Sequence, residues 1–248
     1  MNMHLPRVCC LALLTPLFLV TQASGAVILW DAAAVNTNTS DASQMSTAGG
    51  PTALFAALDV DSAFTSTSYS VNGVTFTATN AHVSIGQDNA SNVNGAAPGT
   101  QNNNALILRG GAYNADTDST AHPIQLSGLT AGHVYQLQLW TPYWNANYST
   151  RFSDVAPTGP TFLHALNESP SVNVGDTGNS VTSQYILGTF TADVGGLQSI
   201  YYYGDGGYGM FGAMQVRDLG LVPEPSTVAL AVLGMSVALF RLRRKQRS

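Results

Sequence analysis

Leu126-Ser-Gly-Leu-Thr-Ala-Gly-His-Val-Tyr-Gln-Leu-Gln-Leu-Trp140 joins a turn to the most regular strand of the chain. Residues 127–132 are small or turn-favouring. From 134 to 140 the side chains then alternate, with Tyr135, Leu137 and Leu139 on one side and Gln136, Gln138 and Trp140 on the other. A period of two places one set on a buried face and the other outward, as in an antiparallel sheet with one covered surface. The pattern recurs upstream, where Tyr69, Val71, Val74 and Phe76 alternate around Asn72-Gly73, a pair suited to the positive backbone angles of a type I′ turn.

Outward from these two elements, short apolar runs at 27–30, 83–85, 105–108, 124–126, 161–163, 171–174, 184–190, 199–203 and 212–218 read as further strands. Glycine, asparagine and serine separate them, and residues 80–104 form a polar excursion around the strand at 83–85. Only residues 52–58 (TALFAAL) carry helical character. About nine or ten short strands split by turns predict an all-β sandwich.

Both ends of the chain read differently from its middle. Residues 1–26 have a basic start at Arg7, an apolar centre over 8–20 and small residues at Ala23-Ser24-Gly25-Ala26, the order of a secretory signal peptide. This helix implies passage through the Sec translocon and removal by signal peptidase after Ala26. Cys9 and Cys10, the chain's two cysteines, fall inside it, so the mature protein has no disulfide, thiol nucleophile or thiolate metal site. About 195 residues remain for one unstapled core over 27–221. That ectodomain holds Arg109, Arg151 and Arg217 and no lysine, against thirteen acidic residues, a balance of −10. Such a surface repels nucleic acid and excludes it as a partner.

At the other end, Val222-Pro-Glu-Pro-Ser226 precedes an uncharged apolar run over 227–240 and then Arg241-Leu-Arg-Arg-Lys-Gln-Arg-Ser248. The prolines break the preceding structure and suit a helix start, while the basic cluster is retained on the cytoplasmic side. A helix of 14 residues spans about 21 Å against a hydrocarbon core of about 30 Å, so the run suits a brief transmembrane helix rather than a lasting anchor. These three parts over 222–248 resemble the PEP-CTERM sorting signal of Gram-negative bacteria. The resemblance implies cleavage by an exosortase near Pro223, Glu224 and Pro225. It also implies transient anchoring in the inner membrane and transfer of the ectodomain to the outer surface or extracellular matrix.

A second resemblance covers most of the ectodomain. Val71-Asn-Gly-Val-Thr-Phe-Thr77, the stretch quoted at the outset, Gly188-Thr-Phe-Thr-Ala-Asp193 and Ala213-Met-Gln-Val-Arg-Asp218 are similar to surface proteins of planctomycetes and verrucomicrobia. It implies a galactose-binding-like jelly roll. These are strand and turn motifs, so they carry the fold and no site.

Candidate sites follow from side-chain chemistry. Trp140, Tyr143, Trp144 and Tyr148 crowd one loop, where ring faces could stack on sugars while Asn145, Asn147 and Arg151 meet hydroxyls; the same aromatics could instead cap the core. Asn114, Asp116 and Asp118 place oxygens at alternate positions, as calcium loops do. Ser119 and Gln125, however, stand where an EF-hand needs glycine and glutamate, so only a structural Ca²⁺ is in view. Tyr201, Tyr202 and Tyr203 predict one buried and two exposed rings on a strand.

His82, His122, His133 and His164 show no ligand spacing, and no G-x-S-x-G is present. Glu168 is the sole glutamate of the ectodomain, and no matched carboxylate pair for glycoside hydrolysis is apparent. The expectation is therefore a non-catalytic surface or exopolysaccharide-matrix protein without a cofactor. Its alternatives are a specific carbohydrate-binding module using the loop 140–151 and an extracellular polysaccharide-degrading enzyme.

Overall fold

The computed structural model of the chain describes residues 25–35, 45–49, 55–58, 68–71, 73–77, 81–86, 89–92, 110–113, 121–144, 148–157, 167–176, 184–205 and 207–221. The expected signal helix up to residue 24, the tail 222–248, the strands expected at 105–108 and 161–163, and Asn114, Asp116 and Asp118 lie outside the described residues.

All regular structure among the described residues is β. In chain order the strands are β1 (Leu29–Trp30), β2 (Ala34–Val35), β3 (Phe55–Leu58), β4 (Ser68–Val71), β5 (Val74–Thr77) and β6 (Val83–Ile85). Next come β7 (Asn89–Asn92), β8 (Gly110–Tyr113), β9 (His122–Leu126), β10 (His133–Trp140), β11 (Tyr143–Trp144) and β12 (Ser149–Ser153). The last six are β13 (Val172–Asn173), β14 (Gly175–Asp176), β15 (Gln184–Thr191), β16 (Gln198–Gly204), β17 (Met210–Phe211) and β18 (Ala213–Leu221).

Two sheets, antiparallel at nearly every pairing, make the body. The larger runs β1-β15-β10-β18-β3-β5-β4, with β2 also paired to β15, and the smaller runs β13-β12-β16-β9-β6. The stretch that opened the sequence reading lies at the centre of the larger sheet, where β10 pairs along its length with β15 and β18. Tyr135, Leu137, Leu139, Ile186, Phe190, Met214 and Val216 from this sheet meet Ile124, Leu126, Phe152, Val172, Ile200 and Tyr202 from the smaller one in a single core. The expected hairpin is present: Val71 pairs with Val74, and Gly73 has φ 77°, which only glycine adopts without steric cost.

Residues 52–58 depart from expectation. Their described part, β3, is a strand between β18 and β5 rather than a helical turn. Four residues cannot meet the cost of helix nucleation, whereas the open edge of β18 supplies ladder hydrogen bonds at once.

The outward face of β10 also departs. Gln138 is buried where residues 45–49 lie across that face as a strap, and Trp140 is buried on the same face against Phe76 and Tyr185. The Ser46 amide donates to Gln138 Oε1 at 2.9 Å, and Gln215 Nε2 donates to Gln138 Oε1 at 2.7 Å. Arg217, 1% exposed, donates through Nε to the Ala48 carbonyl at 2.6 Å. Burial without water pushes its guanidinium below the ordinary arginine pKa. The strap converts a polar face into a hydrogen-bonded second layer, which explains why glutamines sit on a covered surface.

On β16, Tyr202 and Tyr203 are both buried and only Tyr201 is half-buried, against the expected single buried ring. Tyr203 points outward, but Glu168 crosses over it and accepts its hydroxyl proton at 2.6 Å.

Three features fix which end of the sandwich is which. β9 turns into β10 through residues 127–132, β15 turns into β16 through 192–197, and β18 finishes with Leu221 opposite His133, all at one end. Gly25 packs beside the Gln198 side chain at this same end. The Ile28 amide is held by Asp154 Oδ2 at 2.7 Å, just below the foot of β12. We call this the exit end, since both termini of the folded body leave from it. The opposite, far end carries the loop after Trp140 and the turn after Gly204.

Candidate functional site

The far end gathers the chain's scarce charges. On β12, Arg151 lies in register with Tyr203 of β16. Its guanidinium bridges two acids: Nη1 reaches Glu168 Oε1 at 2.9 Å and Nη2 reaches Asp205 Oδ2 at 3.0 Å. Nη1 also approaches the Ser169 carbonyl at 3.4 Å. Glu168 arrives on the loop before β13, and Asp205 on the turn after β16, tied down by its amide to the Ser149 carbonyl at 2.8 Å. Each pair is partly exposed, with 21% of the Arg151 side chain and 29% of Asp205 reaching solvent, so its contribution to stability is modest.

Beside this cluster stand two tyrosines. Tyr148 and Tyr208 meet edge to face, ring centres 5.1 Å apart at 82°. Both residues are half-buried. Their contact depends on glycines in the turn, since a Cβ on Gly207 would come within 2.7 Å of the Tyr148 ring.

The loop 140–151 is thus only partly the site expected. Trp140 is 2% exposed and packs against Phe76 edge to face at 5.9 Å and against Tyr185 at 6.3 Å. As in the alternative weighed for it, the ring is packed away, but on the outer face of β10 and not in the core between the two sheets. Tyr143 and Trp144 lie on β11, which pairs with β14. Asn145 and Asn147 lie outside the described residues, as do Pro223, Glu224 and Pro225. Tyr148 and Arg151 are brought together with Glu168, Asp205, Tyr203 and Tyr208. Sequence reasoning left those four out of the loop. One signal was available: with three arginines facing thirteen acids, each arginine is a point where distant acids converge.

A second concavity, of about 330 Å³, lies at the exit end of the smaller sheet. Ser84, Gln125 and Ser199 line it in one register row, with His82, Leu197 and Gln198 at its rim. Among the described residues no group of three or more His, Cys, Asp or Glu is placed to hold a metal ion. Nor is any helix among them long and apolar enough to cross a membrane.

Residues 221–245 match the PEP-CTERM protein-sorting motif. The motif implies export, processing by an exosortase and sorting to the cell surface. No curated protein matches the chain. Among solved structures, the native structure of a family 35 carbohydrate binding module from Clostridium thermocellum aligns at 15% identity and a TM-score of 0.29. That alignment covers 54% of this chain and 90% of that one.

Proposed function

We propose that the chain is a non-catalytic protein of the cell surface or the exopolysaccharide matrix around it, with a jelly-roll ectodomain of the galactose-binding-like kind. An N-terminal signal carries it through the Sec translocon and signal peptidase frees its N-terminus. A short transmembrane helix over 227–240 holds it briefly in the inner membrane of a Gram-negative cell. Exosortase cuts near Pro223, Glu224 and Pro225, and the body moves outward. The sorting motif at 221–245 carries this reading. The absence of lysine and the −10 balance of the ectodomain suit a life among neutral polymers, away from nucleic acid. At the far end Glu168 and Asp205 are both ion-paired to Arg151, an arrangement that suits a structural role for these acids.

Removing residues 223–248 tests it. The truncated protein is expected to be exported yet absent from the surface fraction, while the full chain reaches that fraction shortened at its C-terminus. A full-length product in the cytoplasm with both ends intact would overturn the reading.

The pairing of half-buried Tyr148 and Tyr208 at the far end favours a second reading, a carbohydrate-binding module. Its platform would be these tyrosines, with Trp144 and Tyr143 on the same loop and Asn145 and Arg151 near the sugar hydroxyls. If a ring stacked on a sugar contributes as much as one stacked on another ring, about 0.5–1.5 kcal/mol, Tyr148→Ala is expected to weaken polysaccharide binding roughly two- to tenfold. Affinity electrophoresis checks this, with the thermal midpoint measured alongside. Unchanged mobility in a folded variant would remove the tyrosines from the site.

A further inference from the structure

The exit end carries a cluster of aliphatic side chains that the sandwich does not need for its own core. Val194 is 98% exposed and Leu197 54%, both on the turn between β15 and β16. Leu221 is 68% exposed at the last residue of β18, and Val27 67% just before β1. Leu219, 39% exposed, stands where the β10–β18 register shifts, Val134 facing Gly220 and Tyr135 facing Asp218. Exposed aliphatics scattered singly need no explanation, but these gather at one end, where the body joins its tail.

The tail says what covers them. Five residues, 222–226, separate Leu221 from the apolar run at 227. Even fully extended they reach about 17 Å, so while that run is in lipid the exit end stays within that distance of the bilayer. The acids nearby are already engaged. Asp218 pairs with His133 at 2.9 Å and accepts from the Gly220 amide at 2.7 Å, and Asp193 caps the turn through the Gly195 amide at 2.8 Å.

We infer that the exit end is a lipid-docking face: before cleavage, Val194, Leu197 and Leu221 rest in the interface of the bilayer that holds the tail, and the far-end cluster points away from it. Partial immersion of aliphatic and loop residues at a bilayer surface scales with the apolar area buried. The ectodomain's negative balance selects zwitterionic over anionic headgroups. Docking holds Leu221, the residue from which the tail departs, at one height above the membrane. The inference rests on the sorting reading only in requiring an inserted tail.

The test uses residues 27–248, which hold no cysteine, with the tail intact, reconstituted in phosphatidylcholine–phosphatidylethanolamine vesicles. Single cysteines carrying an environment-sensitive dye are placed at Val194, at Leu197 and, as the far-end control, at Tyr208. Val194 and Leu197 lie on an exposed turn, so labels there leave the core intact. Dye at 194 and 197 is expected to shift to the blue and to be quenched several-fold more by lipid-borne nitroxides than dye at 208. Vesicles that float with the protein but leave 194 and 197 as aqueous as 208 overturn the docking face and leave the sorting tail standing. A chain that fails to float overturns the inserted tail and this inference with it. Quenching seen only in membranes containing exosortase overturns lipid as the occupant in favour of that protein.

Discussion

Trp140→Ala is expected to destabilise the ectodomain by about 3–5 kcal/mol. For a body of this size that corresponds to a fall in Tm of roughly 10 °C or more. The indole is 2% exposed at the far end of the central strand. Its edge-to-face contact with Phe76 links β10 to the β4–β5 hairpin, and Tyr185 of β15 flanks it on the other side. Truncation therefore opens a cavity bounded by three strands, none of which can collapse without breaking ladder hydrogen bonds. Calorimetry checks the prediction. A sugar platform behaves oppositely, because an exposed ring can be removed with binding lost and Tm unchanged. If Trp140→Ala melts where the parent does, the packing account of this residue is wrong.

Gly204→Ala is expected to be as severe, at about 3 kcal/mol or more. A Cβ there would stand 1.6 Å from the Gly207 carbonyl oxygen, a backbone atom that no rotamer change can move aside. Gly209 is under similar pressure, its Cβ position 2.6 Å from the Gly204 nitrogen. The turn after β16 folds back on itself so closely that only hydrogen fits inside it. Relief must come from reopening the turn. That withdraws Asp205 from Arg151 and Tyr208 from Tyr148, so polysaccharide binding at the far end, if present, falls with stability. Gly73→Ala is the instructive contrast: nothing lies within 4 Å of its added carbon, and the cost there comes from φ alone. Urea titrations of the two variants compare steric and conformational cost. Equal, small losses at both positions would sink the close-approach argument for Gly204.

The far-end cluster was half legible. Arg151 and Tyr148 stood out because charged and large aromatic residues are scarce in this composition. Glu168, Asp205 and Tyr208 come from segments 17 to 60 positions away in the chain, and sequence holds no rule for which acid an arginine meets across a sheet. At 134–140 the inward face was legible and the covering of the opposite face was not, for a related reason. Alternation shows that two faces differ in chemistry. It does not show that a strap at 45–49 will lie on the polar one and bury Gln138, Gln215 and Arg217 beneath it.

Local signals alone settled the class of structure, the Asn72-Gly73 hairpin, the absence of cysteine from residues 27–221 and the sorting motif at the C-terminus. Each depends on neighbouring residues: a period of two, a turn's backbone angles, a tally, or a contiguous order of proline, apolar and basic residues. Tertiary structure alone decided that residues 55–58 pair as a strand, that Trp140 is packed against Phe76 and Tyr185, and that one arginine joins two distant acids. It also decided that both termini of the body leave from the same end as an aliphatic cluster. Those outcomes are fixed by which surfaces are left open once the two sheets have packed, and that choice is made by the whole chain at once.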